Sequence, residues 1–309
     1  MKGRIILNSL AVINEVISVF LIVLVGVIAS KTKIITDSIN KGLTEILLKI
    51  TLPLLVLSSF NLDFSTDMKA NILKCFIYSF GVYIITPIIS YVFLIPVKGS
   101  KKKVLQFANT FSNCAFIGFA VMDSVYGAEG VAYASVFNMF FSLFLWTYGV
   151  ALFSDKLSLK EAKKVLLNPG IVAVYIGIIM MVFNIKLPAI VFKSVKSVGS
   201  MTTPLSMVIV GVMLSKVNIK SLLKDWTLYY GTFIKLIVIP VFIFIVAVIL
   251  KDESKVMNTM ILLQAMPAAA TTSIFAENFN KGQEYSAGIV FFTTLFCIVT
   301  FPIMLKLVS

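Results

Sequence analysis

The chain has 309 residues, 59% of them hydrophobic and only 13% charged, which leaves too little polar surface to cover a soluble core, so lipid must be its main solvent. A net charge of +13 would point to nucleic acid in a soluble chain, but here the lysines sit in short loops between apolar runs, where they set orientation and meet anionic lipid head groups; nucleic acid is excluded as a partner and membrane lipid is expected. There is no histidine, and Cys75, Cys114 and Cys297 lie in apolar segments without ligand spacing, so no imidazole relay, disulfide framework, zinc site or other metal site is expected.

At the N-terminus, Met1-Lys2-Gly3-Arg4 precedes an apolar stretch from about Leu10 to Ala29. That stretch is longer than a signal h-region and reads as an uncleaved first span. Hydrophobic runs and breakers then give ten spans, near 8–29, 38–59, 70–95, 101–123, 127–153, 168–185, 188–215, 226–249, 256–278 and 284–307. Backbone groups in lipid must be satisfied within their own segment, so the spans are helices and the fold class is all-α, integral to the membrane. With the N-terminus outside, fifteen Lys and Arg fall in cytoplasmic loops and ten on the external side, which favours both termini outside and a multi-pass protein of the cell membrane.

Along the chain, Glu15 lies in the outer part of the first span, within reach of head groups. Glu45 and Lys49 in the second are four apart, the spacing of an internal ion pair. The fourth span carries Ser112-Asn113 at its centre, followed by small residues; such a pair is costly in lipid and poor at holding a regular helix, so it should face a cavity or protein. Asn138 in the fifth is a further intramembrane polar candidate. A hydrophilic link, 154–167, separates a first half, 1–153, from a second, 168–309. Thr202-Thr203-Pro204-Leu205 in the seventh span repeats Thr51-Leu52-Pro53-Leu54 at an offset of 151, and Ile289-Val290-Phe291 matches Ser135-Val136-Phe137 at 154.

Lys235 lies about two turns beyond Trp226 in the eighth span, within snorkelling reach of the interface, and is a candidate charge compensator. The ninth span has Met266-Pro267-Ala268 at its centre. Pro267 removes a donor and clashes with the preceding turn, and Thr271, Thr272 and Ser273 can bond to what is freed. Asp123 and Glu277 are equivalent at an offset of 154; either one of them binds a coupling proton or cation, or both are solvated at span ends.

Five spans per half insert the halves with opposite topology. Inverted repeats of this kind place a binding site near the midplane, between discontinuous helices in corresponding positions, here the fourth and ninth. Half-helix N-termini there offer unsatisfied N–H groups and about half a positive charge each, which suits a carboxylate.

At these residues the chain resembles the auxin efflux carrier family, which includes the plant PIN proteins and bacterial permeases for malate and malonate. Gln264-Ala265-Met266-Pro267 through Asn280 looks like the family's ninth helix, Ser112-Asn113 through Gly118 like its fourth, and Asn168-Pro169 with Gly199 through Gly211 like the bacterial members. The resemblance implies ten helices with crossover helices 4 and 9, similar to bile-acid symporters and NhaA. It also implies a scaffold domain of helices 1, 2, 6 and 7, a transport domain of helices 3–5 and 8–10, elevator-type movement, a homodimer, and contact of Asn113 with the substrate carboxylate. Ala120 stands where the family usually has a second proline, Thr272 where plant members have proline and Val56 where they have serine, so a plant-type auxin pocket is not carried over.

The expectation is a secondary or potential-driven transporter of small organic anions, mono- or dicarboxylates with auxin-like acids in the same class. Asn113, Ser112, Met266, Pro267, Ala268, Asn138 and Thr271 are its candidate binding residues, and Asp123, Glu277 and Lys235 its coupling or compensating residues. The alternatives are a sodium-coupled symporter of bile-acid-transporter type and a membrane ligand sensor that does not transport. No ATP-binding loop and no paired-carboxylate or Cys-His centre is present, so an enzyme is not expected and no cofactor is implied.

Overall fold

Local sequence starts and bends the helices in recognisable ways. Thr36 and Ser254 accept from the backbone amides of Ile39 and Met257, and Asp225 from that of Thr227, so each caps a helix start. Pro240 would clash with the carbonyl four residues back, and the helix widens to a π turn over Ile234–Val238 just ahead of it.

The computed structural model describes residues 17–18, 21–59, 61, 66–154, 167, 169–215 and 222–308, and the regular elements among them are helices. In chain order they are α1 (Leu21–Lys31), α2 (37–59, with a π turn at Leu47–Thr51), α3 (Thr66–Phe93), α4 (Gly99–Thr110), α5 (114–126), α6 (128–153), α7 (Pro169–Val182), α8 (Ala189–Ser200), α9 (Thr202–Ser215), α10 (Trp226–Leu250), α11 (Lys255–Gln264), α12 (Thr271–Asn278) and α13 (Gln283–Leu307). Gly127, at φ 64° and ψ −149°, makes the sharp turn between α5 and α6, a conformation that a side chain would forbid.

Five stretches among the described residues are long and apolar enough to cross a membrane: Asn71–Phe93, Ala132–Phe153, Ala189–Met213, Trp226–Leu250 and Gln283–Leu307. Their outer surfaces expose large apolar side chains such as Ile77, Ile190 and Ile249, which only lipid or a partner can cover. The other expected spans fall short as single apolar helices for visible reasons. The first lies partly outside the described residues, as does Glu15; α2 carries Lys41, Glu45 and Lys49; α7 has 14 residues; and the fourth and ninth are broken into α4–α5 and α11–α12. Glu45 and Lys49 form the expected pair at 2.8 Å.

Two sets of polar contacts mark the two ends of the helix bundle. At one end Ser215 bonds Ser30 (2.6 Å), Lys101 pairs with Asp225 (2.6 Å), Tyr230 donates to the Phe93 carbonyl and Lys281 to that of Phe153. At the other, Asn61 accepts from the Leu187 amide, Lys74 pairs with Asp252 (2.7 Å), and Lys255 with Glu129 (2.6 Å). Close helix contacts use small residues: a Cβ on Gly211 of α9 would sit 2.1 Å from the Val23 carbonyl oxygen of α1 and 2.8 Å from the Gly26 Cα.

Asp252 ties α3 to the turn between α10 and α11. Burial pushes its carboxyl up, but Lys74, Tyr78 and Ser254 outweigh that and hold it well below its ordinary value of 3.8. A depressed folded value contributes stability that is present above pH 3.8 and lost as pH falls through the folded value. Wild-type protein should therefore lose more thermal stability than Asp252→Asn between pH 5 and pH 3 in detergent; parallel losses would remove this carboxylate from the acid response.

Candidate functional site

The break in the first interrupted helix starts at Phe111, whose backbone turns extended after Thr110. In a continuous helix the Asn113 amide would donate to the Asn109 carbonyl. It donates instead to the Pro267 carbonyl at 2.8 Å, and the Ala269 amide donates to the Phe111 carbonyl at 2.8 Å. These two bonds form a one-step antiparallel bridge between Ser112 and Ala268. Pro267 has no N–H to continue its own ladder, and α12 restarts only at Thr271. Both interrupted helices therefore meet at their gaps, joined main chain to main chain.

The diverted amide leaves the Asn109 carbonyl without its helical donor. Lys235 supplies one. The residue is fully buried, and its Nζ lies 3.2 Å from the Asn109 oxygen, 2.5 Å from Ser112 Oγ and 3.1 Å from Gln264 Oε1. An ammonium has three donors and no acceptor, so this set of oxygens satisfies it. Ser112 Oγ in turn donates to Gln264 Oε1 at 2.8 Å. Lys235 lies in the π turn over Ile234–Val238 and reaches inward from α10 into the gap rather than toward the interface.

Four helix ends converge on this point. α4 and α11 arrive with their C-terminal, negative ends, and Asn109 and Gln264 lie in their last turns. α5 and α12 leave with their N-terminal, positive ends. Lys235 compensates the negative pair, and the positive pair faces no anion of the protein among the contacts described. At the head of α12 the hydroxyls of Thr271, Thr272 and Ser273 are buried without a protein partner, as are Gln264 Nε2 and Asn113 Oδ1. Buried polar atoms normally find partners, so these atoms are the ones near the crossing that a ligand or solvent could still bond.

Of the residues singled out in the sequence, Ser112, Asn113, Met266, Pro267, Ala268 and Lys235 are brought to the crossing, with Thr271 three residues past the bridge. Asn138 stands beside it, accepting from Cys114 Sγ at 3.8 Å. Glu277 is elsewhere: its carboxylate accepts from Asn40 Nδ2 at 3.1 and 3.3 Å, linking α12 to α2. The side chain of Asp123 lies outside the described residues. Three participants were not singled out as ligands: Asn109, Gln264, and Thr293, whose Oγ1 accepts from the Ala268 amide at 3.1 Å. Gln264 and Asn109 are polar residues in the last turn of a half-helix, a signal that could have found them.

A lipid-exposed helical fold with two interrupted helices tied together at their gaps, and buried polar groups around the tie, defines a membrane transporter. The model of the family described as membrane transport protein matches residues 11–163 and 155–305, and the chain belongs to that family, which holds the auxin efflux carriers. An uncharacterized transporter of Methanocaldococcus jannaschii is 24% identical over 301 residues, 93% of this chain and 95% of that protein. The protein is a multi-pass membrane transporter.

Proposed function

We propose that this transporter moves small organic anions, mono- or dicarboxylates, with the carboxylate bound where the two interrupted helices cross. The supporting observation is the charge arrangement at the crossing. Lys235 and its oxygen partners occupy the negative helix ends, while the positive ends of α5 and α12 and the donors Thr271, Thr272, Ser273 and Gln264 Nε2 remain for a ligand. Asn113 reads the carboxylate on one side, beside Ser112, whose hydroxyl is already bound to Lys235 and Gln264; Met266, Pro267 and Ala268 line the other side; Asn138 supports from α6.

The architecture this reading assumes is ten spans in two inverted repeats, with both termini outside. The first, second, sixth and seventh spans form a scaffold, and the rest form a body that moves past it as an elevator. Three polar ties favour such a moving unit, since Lys74–Asp252, Lys255–Glu129 and Lys101–Asp225 all join helices within it. Asn40–Glu277 joins it to the scaffold and would have to part during the cycle. A gradient or the membrane potential supplies the driving force, and a homodimer is the proposed assembly.

The test is reconstitution into liposomes with an imposed potential and a panel of mono- and dicarboxylates. Saturable flux of at least one is expected; folded protein that moves none of them would overturn the reading.

A further inference from the structure

The oxygen cage at the crossing is complete without any ion from solution. We infer that Lys235 is a tethered cation which fills the place of a coupling sodium, so that this carrier holds its anion independently of sodium. In carriers built on discontinuous helices, unwound carbonyls and half-helix C-terminal ends coordinate the coupling cation. Here one acceptor of that kind, the Asn109 carbonyl, and two side-chain oxygens beside it are already occupied. The Asn109 oxygen at the end of α4 and Gln264 Oε1 at the end of α11 both lie within 3.2 Å of Lys235 Nζ, and Ser112 Oγ completes the set at 2.5 Å.

The ammonium is held by a stem that is itself fully buried, so the charge does not exchange with solvent. The cage is made of neutral oxygens alone, and no carboxylate contacts Lys235 Nζ among the described residues, so the positive charge is not cancelled by an ion-pair partner. It remains to offset the two helix C-termini and to favour an anion on the opposite side of the bridge. Ser112 links the two functions, because its Oγ accepts from Lys235 while its main chain is part of the bridge.

Removing the lysine side chain should leave three oxygens around an opening of ammonium size, a site for sodium or a small amine. The part of this inference that concerns anion transport rests on the function proposed above; the cation site itself does not.

The experiment uses purified full-length protein in detergent, with melting temperature measured in sodium chloride, choline chloride and methylammonium chloride. Wild type should melt at the same temperature in all three. Lys235→Ala should melt lower in choline and recover by about 3 °C or more in sodium or methylammonium. Lys235→Met, whose stem refills the space with apolar atoms, should not recover.

Stabilisation of wild type by sodium, or Lys235→Ala that ignores every cation, would overturn the inference. Should Lys235→Ala yield no folded protein in any of the salts, the wild-type comparison decides, equality across salts supporting and a sodium preference refuting. In liposomes, flux that needs sodium would also refute it. Absence of any flux alongside the expected melting pattern would sink the transport reading and leave the cation assignment standing.

Discussion

Asn113→Ala should reduce carboxylate flux in liposomes by about ten- to a hundredfold while leaving the melting temperature close to wild type. The estimate is the loss of one hydrogen bond to a charged ligand, about 1.5–3 kcal/mol. The expected separation of activity from stability has a specific source. What Asn113 contributes to the fold is its backbone amide, which donates to the Pro267 carbonyl, and alanine keeps that amide. Its side-chain oxygen has no partner in the protein, so truncation strands no acceptor there. Flux at the wild-type rate would remove Asn113 from the binding site. Lost flux with a lowered melting temperature would assign it a structural role instead.

Gly211→Val should severely damage the fold. A Cβ at Gly211 meets the Val23 carbonyl oxygen at 2.1 Å, the Gly26 Cα at 2.8 Å and the Val27 amide nitrogen at 2.9 Å, all of them main-chain atoms. No rotamer change relieves a clash with backbone, so α1 and α9 must separate and lose the packing that holds them. A destabilisation above about 3 kcal/mol is expected, seen as a fall in melting temperature of more than about 6 °C or as loss of monodisperse protein. Gly42→Ala in α2 is the matched control, because nothing lies within 4 Å of the added methyl and alanine is the better helix former. Equal behaviour of the two variants would refute the close α1–α9 packing.

Much of the helical layout was readable in the sequence, because lipid imposes a simple rule on backbone polarity and apolar runs obey it. The two interruptions were readable as well: Ser112-Asn113 and Pro267 are residues that a regular lipid-facing helix would not hold. What lay beyond reach was which atoms would meet at the crossing. Lys235 stands far from both gaps in sequence, and its distance from Trp226 admitted a route to the interface; in the fold it lies in a π turn and reaches inward instead. The Ala268 amide finds Thr293 on α13, one of many threonines in apolar helices. The offset between Asp123 and Glu277 could not reveal that Glu277 would bond Asn40, since that contact joins helices from different halves.

The bridge between Ser112 and Ala268 is made only of amides and carbonyls, so no particular side chain at positions 112, 113, 268 or 269 is needed to hold the two gaps together. Architecture and selectivity are thereby inherited separately. Side chains beside the bridge can change while the main-chain joint persists, which gives a lineage built on this chain room to change what it binds without inventing a new fold.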